Sequence, residues 1–321
     1  MNSSRTVNPQ WCQSRTYAVS RGPKAPLRPP PRAPKAESRP DMFDINKITT
    51  RTFEEPIRAI GGFFDELKPE ECHVYASKFA DAIKNGADPY NAKLSGENDI
   101  PLEILHEVAA LLWLARPTAA THAFSTAMWA SASEAGYHIS TVSLGRCLMM
   151  SGGWGKLQGL KRVEDRFRQI VSEGKDQNAL TAEGESFYKA GRYEAAVRIL
   201  KRALSLNDFD FDWRDDCQMC LGQSYLKLGR TAEARQVFEA LGGARIPDAD
   251  AELARMLRKT NPDAARQRMY SAAIGGRRDM FSQLAELELE QEAQVTDSES
   301  KKDHQRWAME WFRLADPSVK F

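Results

Sequence analysis

Four stretches of this 321-residue chain have residue types and spacings that chemistry uses. Cys217-Gln-Met-Cys220 has the two-residue gap of metal-ligand and dithiol motifs. A structural zinc site needs a second Cys or His pair, and none stands at motif spacing. A redox dithiol needs a strand-to-helix turn, whereas this pair falls inside a helical pattern. Both cysteines therefore read as reduced packing residues, and Cys12, Cys72 and Cys147 are isolated. His73, His106, His122, His138 and His304 are scattered, with no partner at ligand spacing. Gly152-Gly153-Trp154-Gly155-Lys156 has part of a phosphate loop, but no strand precedes it and no Ser or Thr follows Lys156. It reads as a turn with Trp154 as a packing anchor. No catalytic, cofactor-binding or metal-ligating set emerges, so a non-enzymatic protein is expected.

The fourth stretch, Asn207 to Asp216, alternates acids with aromatics: Phe209, Asp210, Phe211, Asp212, Trp213. As a surface it would receive a basic peptide on aromatic anchors. The competing reading turns the aromatics inwards between helical units and lets the aspartates cap the next helix. Packing is favoured, because large aromatics at the start of an element usually pack. These five residues are nonetheless the partner-binding candidates of the chain. A second polar stretch, Glu290 to Asp303, reads as a solvated loop.

The elements around them are helical and repeat. Residues from Leu180 to Phe238 contain two copies of one helical hairpin. Gly184 overlays Gly222, Phe187 overlays Tyr225, Gly191 overlays Gly229, and Ala196 overlays Ala234; Leu200 and Phe238 close the two copies. The spacing Met128, Ala132, Gly136, Ser140, Leu144, Gly145 returns at Arg268, Ala272, Gly276, Met280, Leu284, Ala285. Corresponding first-helix positions fall at Leu144, Glu183, Leu221, Leu253 and Leu284, at intervals of 39, 38, 32 and 31 residues.

The central pair resembles tetratricopeptide repeats, and the flanking sets resemble Sel-like repeats, over about residues 105–315. Trp311-Phe312-Arg-Leu-Ala315 looks like the start of one more unit. The resemblance implies an all-α fold, an α-solenoid of about five to six stacked hairpins. In it, Gly145, Gly184 and Gly222 allow close helix approach, while Gly191 and Gly229 lie where the chain reverses. Tetratricopeptide domains often clasp acidic chaperone tails through basic inner-face residues. Here Asn178, Thr181 and Glu185 lie near that face and the basic clamp is missing, so that ligand is not expected.

Apolar residues make up 42% and charged residues 28% of the chain. The net charge of +1 conceals a leader of eight Arg/Lys against Glu37 alone, at +7, ahead of a body at −6. The first 36 residues contain no acid, and Arg15-Thr16-Tyr17-Ala18 resembles a matrix-processing site. Residues 1–17 are thus expected to be a mitochondrial transit peptide cut after Tyr17. Residues 18–42 hold seven of the sixteen prolines and read as a basic, unpacked arm. Residues 43–100 read as an irregular helical segment, and residues 101–321 as the repeat array. Pro117 is expected to open a helix in its first turn. The uncharged run 117–133 is too short and too rich in Ser, Thr and Ala for a membrane span, and reads as a tightly packed helix.

The function expected is a protein-binding scaffold or assembly factor on the matrix side of mitochondria, serving a respiratory-chain complex or the mitoribosome. The alternatives are an organellar RNA-binding repeat protein and an enzyme. A continuous basic groove would speak for RNA, and an apolar or acidic one for a peptide.

Overall fold

The computed structural model describes residues 42–60, 67–94, 99–206, 211–243 and 246–319. The expected transit peptide, all of the proline-rich arm but Met42, and the candidates Phe209 and Asp210 lie outside the described residues. Within them there are fourteen α-helices and no strand. They are α1 (Thr50–Ile60), α2 (Pro69–Lys84), α3 (Leu102–Leu114), α4 (Ala119–Glu134), α5 (His138–Ser151), α6 (Lys161–Glu173) and α7 (Gln177–Lys189). There follow α8 (Tyr193–Ser205), α9 (Arg214–Lys227), α10 (Thr231–Gly243), α11 (Pro247–Leu257), α12 (Pro262–Ile274), α13 (Asp279–Glu292) and α14 (Ser298–Ala315).

The helix ends follow from local chemistry. Asp176, Asn261 and Asp297 accept the N–H groups of Ala179, Ala264 and Ser300, which starts α7, α12 and α14. Pro69, Pro247 and Pro262 occupy first turns, where no N–H is needed. Pro117 does not. The Thr118 hydroxyl accepts the Thr121 N–H and takes the cap, so α4 starts at Ala119 and Pro117 stays outside it. Glu290 to Asp303 is also mostly helical rather than a loop. α13 runs to Glu292, and Asp297 caps α14 so early that only residues 293–297 connect them.

Each helix packs on the next in sequence, and further contacts join α1 to α3, α5 to α7, α7 to α9 and α4 to α6. Neighbour-to-neighbour packing of this kind gives a repeat-like all-α architecture. The buried core follows suit as consecutive clusters. One runs from Ile48 to Val163, with Phe53, Phe79, Phe124 and Met128 inside it. The next runs from Leu180 to Leu253, and a third from Ala251 to Leu287. The first crosses residue 100 without a break, so α1 and α2 share a core with α3–α5.

The two central hairpins superimpose in detail. Arg192 N–H donates to Phe187 O at 2.8 Å, and Arg230 N–H donates to Tyr225 O at 2.9 Å. Between them Gly191 and Gly229 both adopt φ +74°, a left-handed turn that a side chain would strain. The same bond closes the turns at Gly136 (Tyr137 N–H to Ala132 O) and Gly276 (Arg277 N–H to Ala272 O), both at 2.9 Å. Within the hairpins, Gly184 faces Leu200 and Gly222 faces Phe238, while Gly145 faces Phe167. Ala196, Ala234 and Leu221 are buried in the core of these two hairpins, and Leu144 and Leu284 are buried in the clusters on either side. Trp311 lies on the last turns of α14, which pairs with α13, and stacks on Phe281 at 5.9 Å.

The uncharged run becomes α4, eleven of whose residues are buried, including Ser125, Ser131 and Ser133. Small side chains let α3, α5 and α6 crowd around it. No helix among the described residues is long and apolar enough to cross a membrane.

Candidate functional site

A groove of about 470 Å³ opens where α3, α4 and α5 meet the starts of α7 and α9. Its first wall is aromatic. Ring centroids run from Trp113 to Trp129 (5.9 Å) and Trp129 to His106 (6.0 Å) along the lining, with His122 (5.0 Å from Trp113) and Tyr137 (5.7 Å from His106) packed at either end outside it. The row arises because α3 sets His106 and Trp113 seven residues apart on one face, against Trp129 of α4. Trp129 Nε1–H donates to the His106 carbonyl at 3.2 Å, and His106 Nδ1 lies 2.9 Å from Ser140 Oγ. Burial lowers the His106 pKa from 6.5 to about 4, so this ring is neutral at physiological pH. Leu114 and Ile139 project from the rim, 56% and 45% exposed.

The opposite wall is held by one guanidinium. Arg146 of α5 donates to both Glu185 oxygens of α7 at 2.8 and 2.6 Å, and to Asp216 Oδ2 of α9 at 2.8 Å. Its Cζ also lies 4.4 Å from the Trp213 ring centroid. Burial works against the charged guanidinium, but hydrogen bonds and charge from Glu185 and Asp216 outweigh it and hold its pKa above the ordinary value. Burial pushes the Glu185 carboxyl upwards, against the opposing pull of Arg146. The bidentate geometry makes the charged pair the state at neutral pH.

The acidic-aromatic stretch ends in this wall. Asn178 of α7 accepts the Trp213 N–H at 3.1 Å and donates to Asp212 Oδ2 at 3.2 Å. Phe211 packs half-buried against the core between α7 and α10, and Trp213 against Val142 and Phe167. Both described aromatics therefore turn inwards. The aspartates do not cap α9. Trp213 occupies the cap position without a side-chain bond, and Asp215 and Asp216 sit in the first turn, where the helix dipole favours them. Asp212 stays exposed at the rim, with no ion-pair partner among the described residues.

The groove continues along α5, α7 and α9 into a second depression of about 550 Å³, which shares Met150 and adds Tyr188, Met219 and Asp248. Together they present Asp176, Glu185, Asp212, Asp216 and Asp248 against Arg146 and Lys189. This surface is apolar and acidic. A larger groove of about 970 Å³ lies between α12 and α14, floored by Phe281 and Trp311. Its buried Glu288 is paired with His304 at 2.7 Å and lies 3.0 Å from Arg266 Nε, while Arg266 Nε and Trp311 Nε1 are buried there with no hydrogen-bond partner among the described residues.

The other motifs fold into structure. Cys217 and Cys220 are buried and unpaired, and burial raises their thiols to about 11 and 12. Cys72 and Cys147 are raised to about 12 for the same reason. Among the described residues no three His, Cys, Asp or Glu side chains gather as a metal site. Around the glycine-rich turn, Gly155 N–H donates to buried Glu164 at 2.6 Å, and Trp154 meets Phe167 edge-on at 5.5 Å. Sequence reasoning singled out Phe211, Asp212 and Trp213, but missed Trp113, Trp129, His106 and Arg146. The only available signal was the placement of His106 and Trp113 two turns apart on one helix.

Compared with protein-family models and with curated proteins, the chain matches none.

Proposed function

We propose that this chain is a non-catalytic scaffold that binds other proteins through the groove between α3, α5, α7 and α9. We further propose that its repeat-like array is an α-solenoid of tetratricopeptide and Sel-like hairpins. The observation that carries the reading is the groove's chemistry: a tryptophan row faces an acidic wall whose one arginine is already neutralised by two carboxylates. α5 packs on α7 and α7 on α9, so the face that these three helices share is continuous enough to hold a client segment.

The site of action we propose is the mitochondrial matrix or the matrix face of the inner membrane, in assembly of a respiratory-chain complex or the mitoribosome. The acid-free, arginine-bearing leader supports that compartment. RNA binding is the weaker alternative, because phosphates would meet uncompensated carboxylates in the groove.

Affinity purification of the full chain from isolated mitochondria, under mild conditions, tests the reading. A stoichiometric protein partner is expected. Recovery of the chain alone, or with RNA that nuclease treatment removes along with every partner, would overturn it. Fractionation tests the compartment: a mature protein starting at Ala18 inside mitochondria is expected, and an uncleaved cytosolic chain would refute it.

A further inference from the structure

We infer that the groove selects a basic partner segment and seats its lysine or arginine side chain between Asp212, Asp176 and the Trp113 ring. This rests on the scaffold reading and specifies the partner's chemistry.

Charge complementarity carries the inference. The groove is lined by Asp176 and Asp212, and its single Lys or Arg, Arg146, is paired with Glu185 and Asp216. Arg146 is committed to Glu185 and Asp216, and buried His106 stays neutral. Asp176 caps α7 through Oδ1 and meets exposed His138 through Oδ2 at 2.5 Å, and Asp212 meets the neutral amide of Asn178. The unoccupied groove therefore carries net negative potential over a low-polarity floor, which raises the local concentration of cations and repels anions.

The aromatic wall sharpens the selection. Indole faces attract guanidinium and ammonium groups, most strongly where water is excluded. The chain already uses this chemistry on the opposite wall, where Arg146 lies 4.4 Å from the Trp213 centroid beside two carboxylates. A second cation entering from a partner would find the same combination at Trp113 and Asp212. Exposed Leu114 and Ile139 on the rim suit an apolar side chain adjacent to that cation. A segment pairing Arg or Lys with Leu, Ile or Val fits; an acidic segment or a nucleic acid does not.

Fluorescence anisotropy on the full chain tests this with three labelled probes: a decapeptide alternating Arg and Leu, its Glu-for-Arg counterpart, and oligouridine RNA. Only the Arg peptide should bind, with affinity that falls as salt rises. Asp212→Asn and Asp176→Asn should each weaken it roughly five- to ten-fold. Both keep the local structure, since Asn still accepts the α7 cap bond and still meets Asn178. Asp263→Asn, at a remote exposed acid on α12, should leave binding unchanged and so separates the groove from general acidity.

Equal binding of the Arg and Glu peptides would overturn the inference. So would tighter binding of the RNA, or loss of affinity with Asp263→Asn equal to that with Asp212→Asn. A photo-crosslinker at Ile139 separates this from the scaffold reading. A purified partner that crosslinks there through a segment without Lys or Arg would sink the inference and leave the scaffold standing. Absence of any partner would sink the scaffold reading itself.

Discussion

Leu200 lies so close over Gly184 that a Cβ added to the glycine would come within 2.5 Å of a leucine methyl, and Phe238 stands in the same relation to Gly222. Real Cβ contacts do not reach that distance, so the Leu200 side chain of α8 packs directly on the α7 backbone, as the Phe238 ring of α10 does on α9. Gly184→Ala and Gly222→Ala should each cost about 1–3 kcal/mol through forced displacement of the facing side chain. Gly243→Ala, where no atom lies within 4 Å, should be neutral or stabilise by up to about 1 kcal/mol. Urea denaturation of the three variants decides it. Equal effects at all three sites would show that helix propensity, not the close approach, governs.

Arg146 joins α5, α7 and α9 through Glu185 and Asp216. Arg146→Ala should cost about 2–4 kcal/mol, chiefly because Glu185, only 8% exposed, is left charged and unpaired. Replacing both Arg146 and Glu185 by Met should recover most of that loss. A double variant no more stable than Arg146→Ala in denaturant titrations would contradict the buried-charge explanation.

Acidification should destabilise the protein through His106. Its folded pKa of about 4 lies below the 6.5 of an ordinary histidine. Between those values the unfolded chain takes up a proton that the folded chain refuses, so stability falls as pH drops from about 6.5 towards 4. At full development this one residue contributes on the order of 3 kcal/mol. His106→Asn should flatten the stability profile across that window. A variant curve parallel to that of the native chain would place the acid sensitivity elsewhere.

The buried thiols should resist alkylation. With pKa values of about 11 to 12, Cys72, Cys217 and Cys220 are protonated at pH 8 and screened from reagent. Peptide mass spectrometry after brief iodoacetamide treatment should find them unmodified in the native chain and modified in urea. Rapid native labelling at Cys217 or Cys220 would mean that α9 opens far more readily than its packing implies.

Much of the scaffold was legible before any coordinates. Gly184 and Gly222 announce close approach because no Cβ fits there, and Gly191 and Gly229 announce reversals because φ is positive. Other local readings failed where a neighbour competed. Pro117 lost the first turn of α4 to the Thr118 cap, and the polar run from Glu290 became helix once Asp297 supplied a cap. Cys217-Gln-Met-Cys220 kept the spacing of a site, but burial on α9 removed its chemistry.

By itself the sequence determined most of the helices, their turns and the contacts at which a side chain closes onto a bare glycine, since those depend on residues a few positions apart and on the presence or absence of a Cβ. The tertiary structure alone decided where the groove lies and what charge it carries. Helical periodicity says which side chains share a face, but not what stands opposite. Arg146 and Asp216 are 70 residues apart, and His106 meets Ser140 across 34. Only the tertiary packing sets Trp113 and Trp129 in one groove with an arginine already paired to two carboxylates, leaving Asp212 exposed at the rim.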